Sequence, residues 1–230
     1  MGSLVIAAFV ASYLVGAIPF SYLIPKLLYG VDIRTVGSGN VGATNVARVL
    51  GKGPGFACFL LDVAKGAGPV AALQFVPGVP LWAPVLGAAA AILGHSKSVF
   101  LRFGGGKAVA TGVGTILALN PLVGLACLAL WGGVFAATRV VSVASITAAL
   151  ALPGLMIAIP RAPAWSPNPD AFVYYSMAAG AFIIFRHKAN ICRIMDGTEP
   201  RFGAPAPGPE AATGPEMGPP SVPAPERDAR

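Results

Sequence analysis

Residues Leu122–Thr138 read LVGLACLALWGGVFAAT, and Val140–Ile159 read VVSVASITAALALPGLMIAI. Arg139 is the one charge across both runs. Each run approaches the roughly 20 apolar residues that carry a helix through bilayer hydrocarbon. A soluble domain carries about 25% charged residues. This chain of 230 residues carries 11%, is 55% hydrophobic, and has a mean hydropathy of +0.72. The sequence predicts an integral membrane protein. Lipid leaves no partner for an unpaired backbone group, and the runs are too long for barrel strands, so the expected class is all-α.

Outward from that pair, the chain resolves into about seven helical segments. Ser3–Leu28 is the first span, with Pro19 and Pro25 as expected kinks, and is read as a retained helix. Pro54–Val76 is the second, Leu81–Leu93 the third, and Ala108–Leu119 a short fourth ending at Asn120-Pro121. The two opening runs are the fifth and sixth, and Ala171–Phe185 is the last. Arg161–Pro169 reads as a loop. Residues 1–200 form one membrane-embedded domain. Residues 201–230, rich in Pro, Ala and Gly, have too little apolar surface to order themselves and read as a disordered tail.

The basic residues set the expected orientation. With the N-terminus outside, Lys26, Arg34, Arg48, Lys52, Lys97, Arg102, Lys107, Arg139, Arg186, Lys188, Arg193, Arg201, Arg227 and Arg230 face the cytosol. Only Arg161 lies outside, and Lys65 lies within a span. This bias also argues that the short fourth segment crosses. It accounts for the net charge of +7 without a nucleic-acid partner.

Three polar segments then share one face. The first is Gly37-Ser38-Gly39-Asn40-Val41-Gly42-Ala43-Thr44-Asn45-Val46-Ala47-Arg48. Its small residues permit close approach, Ser38, Asn40, Thr44 and Asn45 offer hydrogen bonds, and Arg48 can grip a phosphate with two N–H groups. The second runs from Gly94 to Thr111 and contains His95 and Gly104-Gly105-Gly106-Lys107. Three bare N–H groups, a lysine and a helix start form an expected anion cradle. The third holds His187, Asn190 and Arg193, then Gly197-Thr198-Glu199. Asp62 and Lys65, at i and i+3 inside a span, are expected to pair with each other.

Spacing excludes several chemistries. Gly106-Lys107 is followed by Ala108 rather than Ser or Thr, and Leu101 stands where a Walker A glycine belongs. There is no G-x-S-x-G, and a His-x4-Asp box from His95 would need Asp where Phe100 stands. Cys58, Cys127, Cys192 and the two histidines have no metal-ligand spacing, so neither metal nor cofactor is expected.

Ser38-Gly39-Asn40-Val41-Gly42-Ala43-Thr44-Asn45 with Arg48 resembles the first motif of the bacterial acyl-phosphate:glycerol-3-phosphate acyltransferase family, the PlsY family. Gly94-His95 with Phe100, Phe103 and Gly105-Gly106-Lys107-Ala108-Val109-Ala110-Thr111 resembles its second, and His187, Asn190, Arg193 and Gly197-Thr198-Glu199 its third. Leu61-Asp62-Val63-Ala64-Lys65-Gly66 also matches a family segment. The chain departs from the pattern at Ala108, where the family usually has glycine, and in its tail.

The resemblance implies transfer of an acyl chain from acyl phosphate to the 1-hydroxyl of glycerol 3-phosphate, giving lysophosphatidate and inorganic phosphate at the cytosolic face of the bacterial inner membrane. The implied catalytic residues are Ser38, Arg48, Lys107, His187 and Asn190. The implied substrate-binding residues are Asn40, Gly42, Thr44, Asn45, His95, Gly104, Gly105, Gly106 and Thr111. The bilayer and a soluble enzyme supplying acyl phosphate are the other implied partners. The base is left open between His187 and a substrate phosphate oxygen. The alternative kept beside this is a small organic-anion or phosphate transporter. Against it stand the lack of an internal repeat and the placing of polar clusters at one face rather than mid-bilayer.

Overall fold

The computed structural model describes residues 2–159 and 169–203. The loop expected around Arg161 and the tail beyond Gly203 lie outside the described residues. Within them the chain is helical, with one isolated antiparallel bridge between Ser98 and Gly104.

The first expected span is two helices, α1 (Gly2–Ala17) and α2 (Phe20–Tyr29). Pro19 brings no N–H, so the ladder breaks there, and Tyr22 and Leu23 both donate to the Pro19 carbonyl. The first polar segment contains a helix, α3 (Ala43–Leu50), started by an extended Gly42. Then come α4 (Lys52–Leu73), α5 (Ala83–Ser96), α6 (Val109–Leu119), α7 (Pro121–Thr138), α8 (Val141–Ala158), α9 (Pro169–Arg186) and α10 (Lys188–Met195). Asn120 caps α7 by accepting from the Val123 N–H at 3.3 Å, with Pro121 at the first helical position. All seven expected segments are helical; α3 and α10 add two short helices in the polar stretches.

Among the described residues, four stretches are long and apolar enough to cross a membrane: Gly2–Tyr29, Lys52–Leu73, Pro121–Thr138 and Val141–Ala158. Helices α5 and α6 are apolar but shorter. Large apolar side chains point outward along the bundle, among them Ile6, Leu150, Ile157 and Tyr174. Lipid is as apolar as leucine, so helices must associate by close packing instead. The pairs α1–α5 and α4–α6 do this with glycine. A Cβ on Gly94 would run into the α1 backbone at Tyr13 and Ala17, and one on Gly114 into the α4 backbone at Val63. The main core joins Val70, Ile92, Ile116, Leu119, Leu152 and Met156 to Phe172 and Tyr175, while Ile33, Val41, Val46 and Cys58 form a smaller one beneath the first polar segment.

A buried polar cluster ties the break in the first span to the rest. Lys65 Nζ lies 2.8 Å from Asp62 Oδ1 and donates to the Ile18 carbonyl at 2.7 Å, beside the break. Ser21 Oγ donates to Asp62 Oδ2 at 3.0 Å. The expected Asp62–Lys65 pair thus forms, with both side chains almost fully buried. Paired so closely, each charge offsets the other's burial.

Candidate active site

The three polar segments meet at one end of the bundle around a cavity of about 1150 Å³. Ser38, Asn40, Gly42, Thr44, Asn45 and Arg48 reach its wall from the first segment, His95 and Lys107 from the second, and His187 and Asn190 from the third. Ten of the fourteen expected site residues therefore share one space.

At its centre Lys107 Nζ donates to Asn190 Oδ1 at 2.5 Å. Asn190 Nδ2 donates to Glu199 Oε1 at 2.6 Å. Glu199 Oε1 also accepts from Ser142 Oγ at 2.7 Å, and Oε2 from Arg193 Nε at 2.7 Å. A lysine on the glycine loop is thus oriented through an amide by a carboxylate fixed on three sides. Burial of Glu199 opposes its charge, but the bonds from Ser142, Asn190 and Arg193 outweigh it and hold the carboxyl below its usual range. Burial pushes Lys107 down to about 8; Glu199 pulls it up, and Arg193, Arg186 and Arg48 push it further down. Burial likewise holds His187 at about 4. His187 Nδ1 sits 2.7 Å from the Ile183 carbonyl. A carbonyl only accepts, so Nδ1 carries the proton and Nε2 is left as an acceptor. Arg48 is exposed on α3 and has no hydrogen-bond or ion-pair partner among the described residues, which leaves its guanidinium free for an anion.

Four expected binding residues do not reach the cavity: Gly104, Gly105, Gly106 and Thr111. The Gly104 N–H donates to the Leu101 carbonyl at 3.0 Å, and the Gly106 N–H to the His95 carbonyl at 3.2 Å. These bonds use two of the three donors on which the cradle reading depended. The Gly105 and Gly106 carbonyls accept from Arg186 Nη2 at 3.2 and 3.1 Å, and Ser96 Oγ donates to the Gly106 carbonyl at 3.0 Å. The glycines are needed for room instead: a Cβ on Gly105 would fall on the His95 carbonyl, and one on Gly106 on the His95 ring and the Val41 carbonyl. Thr111 Oγ1 is bonded to His95 Nδ1 at 3.0 Å, deep in the bundle. Asn45 is a loop clamp: its amide accepts from the Ser38 N–H at 2.9 Å and donates to the Ile33 and Val36 carbonyls, both at 3.1 Å.

The free donors lie one step further along. No side chain caps α6, the first N–H groups of a helix have no partner in it, and Val109 and Ala110 line the cavity. Ala108, expected to begin the helix, precedes it in the left-handed region at φ 60°.

Sequence reasoning gave no site role to Glu199, Arg193 or Arg186, although the first two stand in the third motif. Ser142, Ser145, Trp131 and Phe135 line the cavity from α7 and α8, inside runs whose apolar pattern gave no signal. Phe56, Phe59 and Leu128, with Trp131 and Phe135, make part of its wall apolar; Trp131 stacks on Phe135 at 5.0 Å and Phe202 meets Phe135 edge-on at 5.7 Å. Part of the cavity therefore suits small anions and part a hydrocarbon chain.

Known proteins are similar to this chain in sequence and fold. A family model described as glycerol-3-phosphate acyltransferase matches residues 6–197. A glycerol-3-phosphate acyltransferase of Acaryochloris marina is 44% identical over 210 residues, covering 84% of this chain and 90% of its own. One of Thermosynechococcus vestitus is 47% identical over 203 residues, covering 84% and 92%. The crystal structure of PlsY (YgiH), an integral membrane glycerol 3-phosphate acyltransferase, in its glycerol 3-phosphate form superposes with a TM-score of 0.77 at 40% identity, over 86% of this chain and 96% of that one. Its lysophosphatidic acid form gives 0.76.

Proposed function

The chain belongs to the glycerol-3-phosphate acyltransferase family, and from that premise we propose that the cavity is an acyl-transfer site served by acyl phosphate. The observation that supports it most is the chain Lys107–Asn190–Glu199, which holds one cation beside α6's uncapped N-terminus in a cavity also lined by Phe56, Phe59, Leu128 and Trp131. Lys107 with the Val109 and Ala110 N–H groups holds the acyl phosphate. Arg48, Ser38, Thr44 and His187 orient glycerol 3-phosphate. The acyl chain lies along Phe56, Phe59, Leu128 and Trp131.

The glycerol 1-hydroxyl oxygen attacks the acyl carbonyl carbon, the bond from that carbon to the phosphate oxygen breaks, and the products are lysophosphatidate and inorganic phosphate. Acyl phosphate is already a reactive mixed anhydride, so positioning and charge stabilisation suffice. The leaving phosphate takes the hydroxyl proton: breaking the acyl bond leaves an added negative charge on its oxygen, which makes it a better base than His187, held at about 4. His187 Nε2 accepts a hydrogen bond from the neighbouring 2-hydroxyl of glycerol 3-phosphate and so aims the 1-hydroxyl.

The three polar segments lie at the cytosolic end of a seven-crossing bundle in the bacterial inner membrane, N-terminus outside, since the basic residues gather there. A soluble enzyme delivers acyl phosphate to that face. The transporter alternative finds no support among the relatives. Purified protein given acyl phosphate and glycerol 3-phosphate should release phosphate and form lysophosphatidate. Lys107→Ala and Arg48→Ala should abolish both while leaving expression intact. Near-normal turnover in either variant would sink the assignment, as would glycerol 3-phosphate flux into proteoliposomes without acylation.

A further inference from the structure

A second, smaller cavity of about 50 Å³ lies deeper in the bundle, between α6, α7, α8 and α9. It shares Val109, Val113 and Ser145 with the first cavity, so one wall divides the two. The rest of its lining is almost wholly apolar, including Cys127, Ala148 and Leu152. Its two hydroxyls are already engaged. Ser145 Oγ donates to the Val141 carbonyl at 2.9 Å and accepts from Trp131 Nε1 at 3.1 Å. Tyr175 Oη and Thr115 Oγ1 are 2.6 Å apart and bonded to each other. Water needs two to four polar partners to settle in a cavity, and here both lining hydroxyls have already spent their one proton, leaving only lone pairs on two oxygens. Interiors hold few voids larger than a water molecule. This one has room for about four water-sized groups. Leu128 and Trp131 line the first cavity from α7, the helix that carries Cys127 into the second.

We propose that this second cavity receives the terminal carbons of the acyl chain and sets its preferred length, with Val113 at the entrance and Tyr175 at the floor. The proposal rests on the acyl-transfer reading above. A saturated tail entering past Val113 gains only dispersion and burial, each methylene being worth about fourfold in kcat/KM. Tails too short to reach the cavity forgo that gain, and tails too long meet the Tyr175–Thr115 pair.

The test is a homologous series of acyl phosphates, short to long, with the parent protein, Cys127→Phe and Ala148→Leu. Filling the cavity should lower the ratio of kcat/KM for long over short chains by more than tenfold, the loss of two or more methylenes, and move the optimum to shorter chains. A second measurement does not depend on either variant folding: alkylation of Cys127 in the parent by a lipophilic maleimide, read by mass spectrometry. Long-chain acyl phosphate should protect Cys127 and a short-chain one should not. The proposal is overturned by a folded variant with an unchanged chain-length profile, by an equal loss across the series, or by protection that ignores chain length. Protection by a phospholipid alone would assign the cavity to a bilayer lipid and overturn it too. If the parent turns over no acyl phosphate of any length, the acyl-transfer reading itself has failed; turnover with an unmoved profile removes this proposal alone.

Discussion

Raising the pH should separate substrate capture from chemistry, because Lys107 titrates within reach. Burial lowers its ammonium from 10.5 to about 8. At about 1.36 kcal/mol per unit, the empty site disfavours the ammonium by about 3 kcal/mol relative to water. A bound phosphate reverses the balance: one opposite charge at about 4 Å, in an effective dielectric near 20, contributes about 4 kcal/mol toward the ammonium. The complex thus keeps Lys107 charged well above pH 8, and the free protein does not. Since kcat/KM reports the free enzyme and kcat the complex, kcat/KM should fall about tenfold per pH unit above pH 8 while kcat stays level. The substrates' phosphates, which titrate near 6, and His187, at about 4, lie below this limb. Stability moves the opposite way. The folded value lies below the unfolded one, so the burden of a buried ammonium is full below pH 8 and is relieved as pH rises toward 10.5. Phosphate release measured across pH, in the parent and in Lys107→Arg, checks the reasoning. The arginine keeps its charge, so the limb should vanish in an active variant. A parent profile flat through pH 9, or a limb that persists in Lys107→Arg, would refute it.

Three further outcomes follow from the geometry. Ala108→Gly relieves a left-handed alanine, about 1–2 kcal/mol, but loses a buried methyl, about 0.8 kcal/mol, and adds unfolded-chain entropy, about 0.4–1 kcal/mol. It should leave thermal stability within about 0.5 kcal/mol of the parent, whereas Ala90→Gly inside α5 should cost about 2 kcal/mol; equal losses would show that Ala108 carries no strain. Glu199→Gln weakens the Arg193 pairing and frees Asn190 from its anchor, so kcat/KM should drop at least tenfold. Glu199's folded value is depressed, so its contribution is present above the unfolded carboxylate pKa and lost as pH falls; the variant's stability should therefore vary less on the acid side, as thermal unfolding at several pH values would show. Arg186→Lys replaces a guanidinium that bridges the Gly105 and Gly106 carbonyls by a single ammonium, and should raise KM several-fold more than it lowers kcat. An equal loss in both would make Arg186 a fold residue only.

The apolar runs made the helices legible, because a bilayer leaves little choice to a run of that length. Charge bias brought the three polar segments to one end, and the cavity is built from all three. What stayed hidden has physical causes. Helix α3 is eight residues long and follows a glycine-rich stretch, so its amphipathic run, with Val46, Val49 and Leu50 among polar neighbours, is too short to stand out as a segment. Ser142 and Ser145 sit in a run that composition reads as lipid-facing throughout; only the packing of α8 on α7 turns them inward. Glu199 was visible within a motif, but its role depends on a bond to Ser142, 57 positions earlier in the chain, which local spacing cannot reveal.

The glycine triad shows where spacing misleads. Three adjacent glycines suggest bare N–H groups or left-handed backbone, yet none of Gly104–Gly106 has a positive φ. The left-handed residues of that loop are Arg102, Phe103 and Ala108, none of them glycine, each held at a cost of about 1–3 kcal/mol. Local bonds hold that backbone in place: Phe103 N–H to the Ser98 carbonyl at 2.8 Å, Ser98 N–H to the Gly104 carbonyl at 3.0 Å, and Ser98 Oγ to the Ala17 carbonyl at 2.6 Å. The glycines let this braced loop press against His95 and Val41, where any side chain would hold it off. A loop pinned from both sides has one geometry for the residue that follows. Lys107 is that residue, and its bond to Asn190 completes the constraint from the third segment. The triad thus serves the anion through Lys107 and the first turn of α6, by fixing where they stand before substrate arrives, which is the form of catalysis that an already activated acyl donor requires.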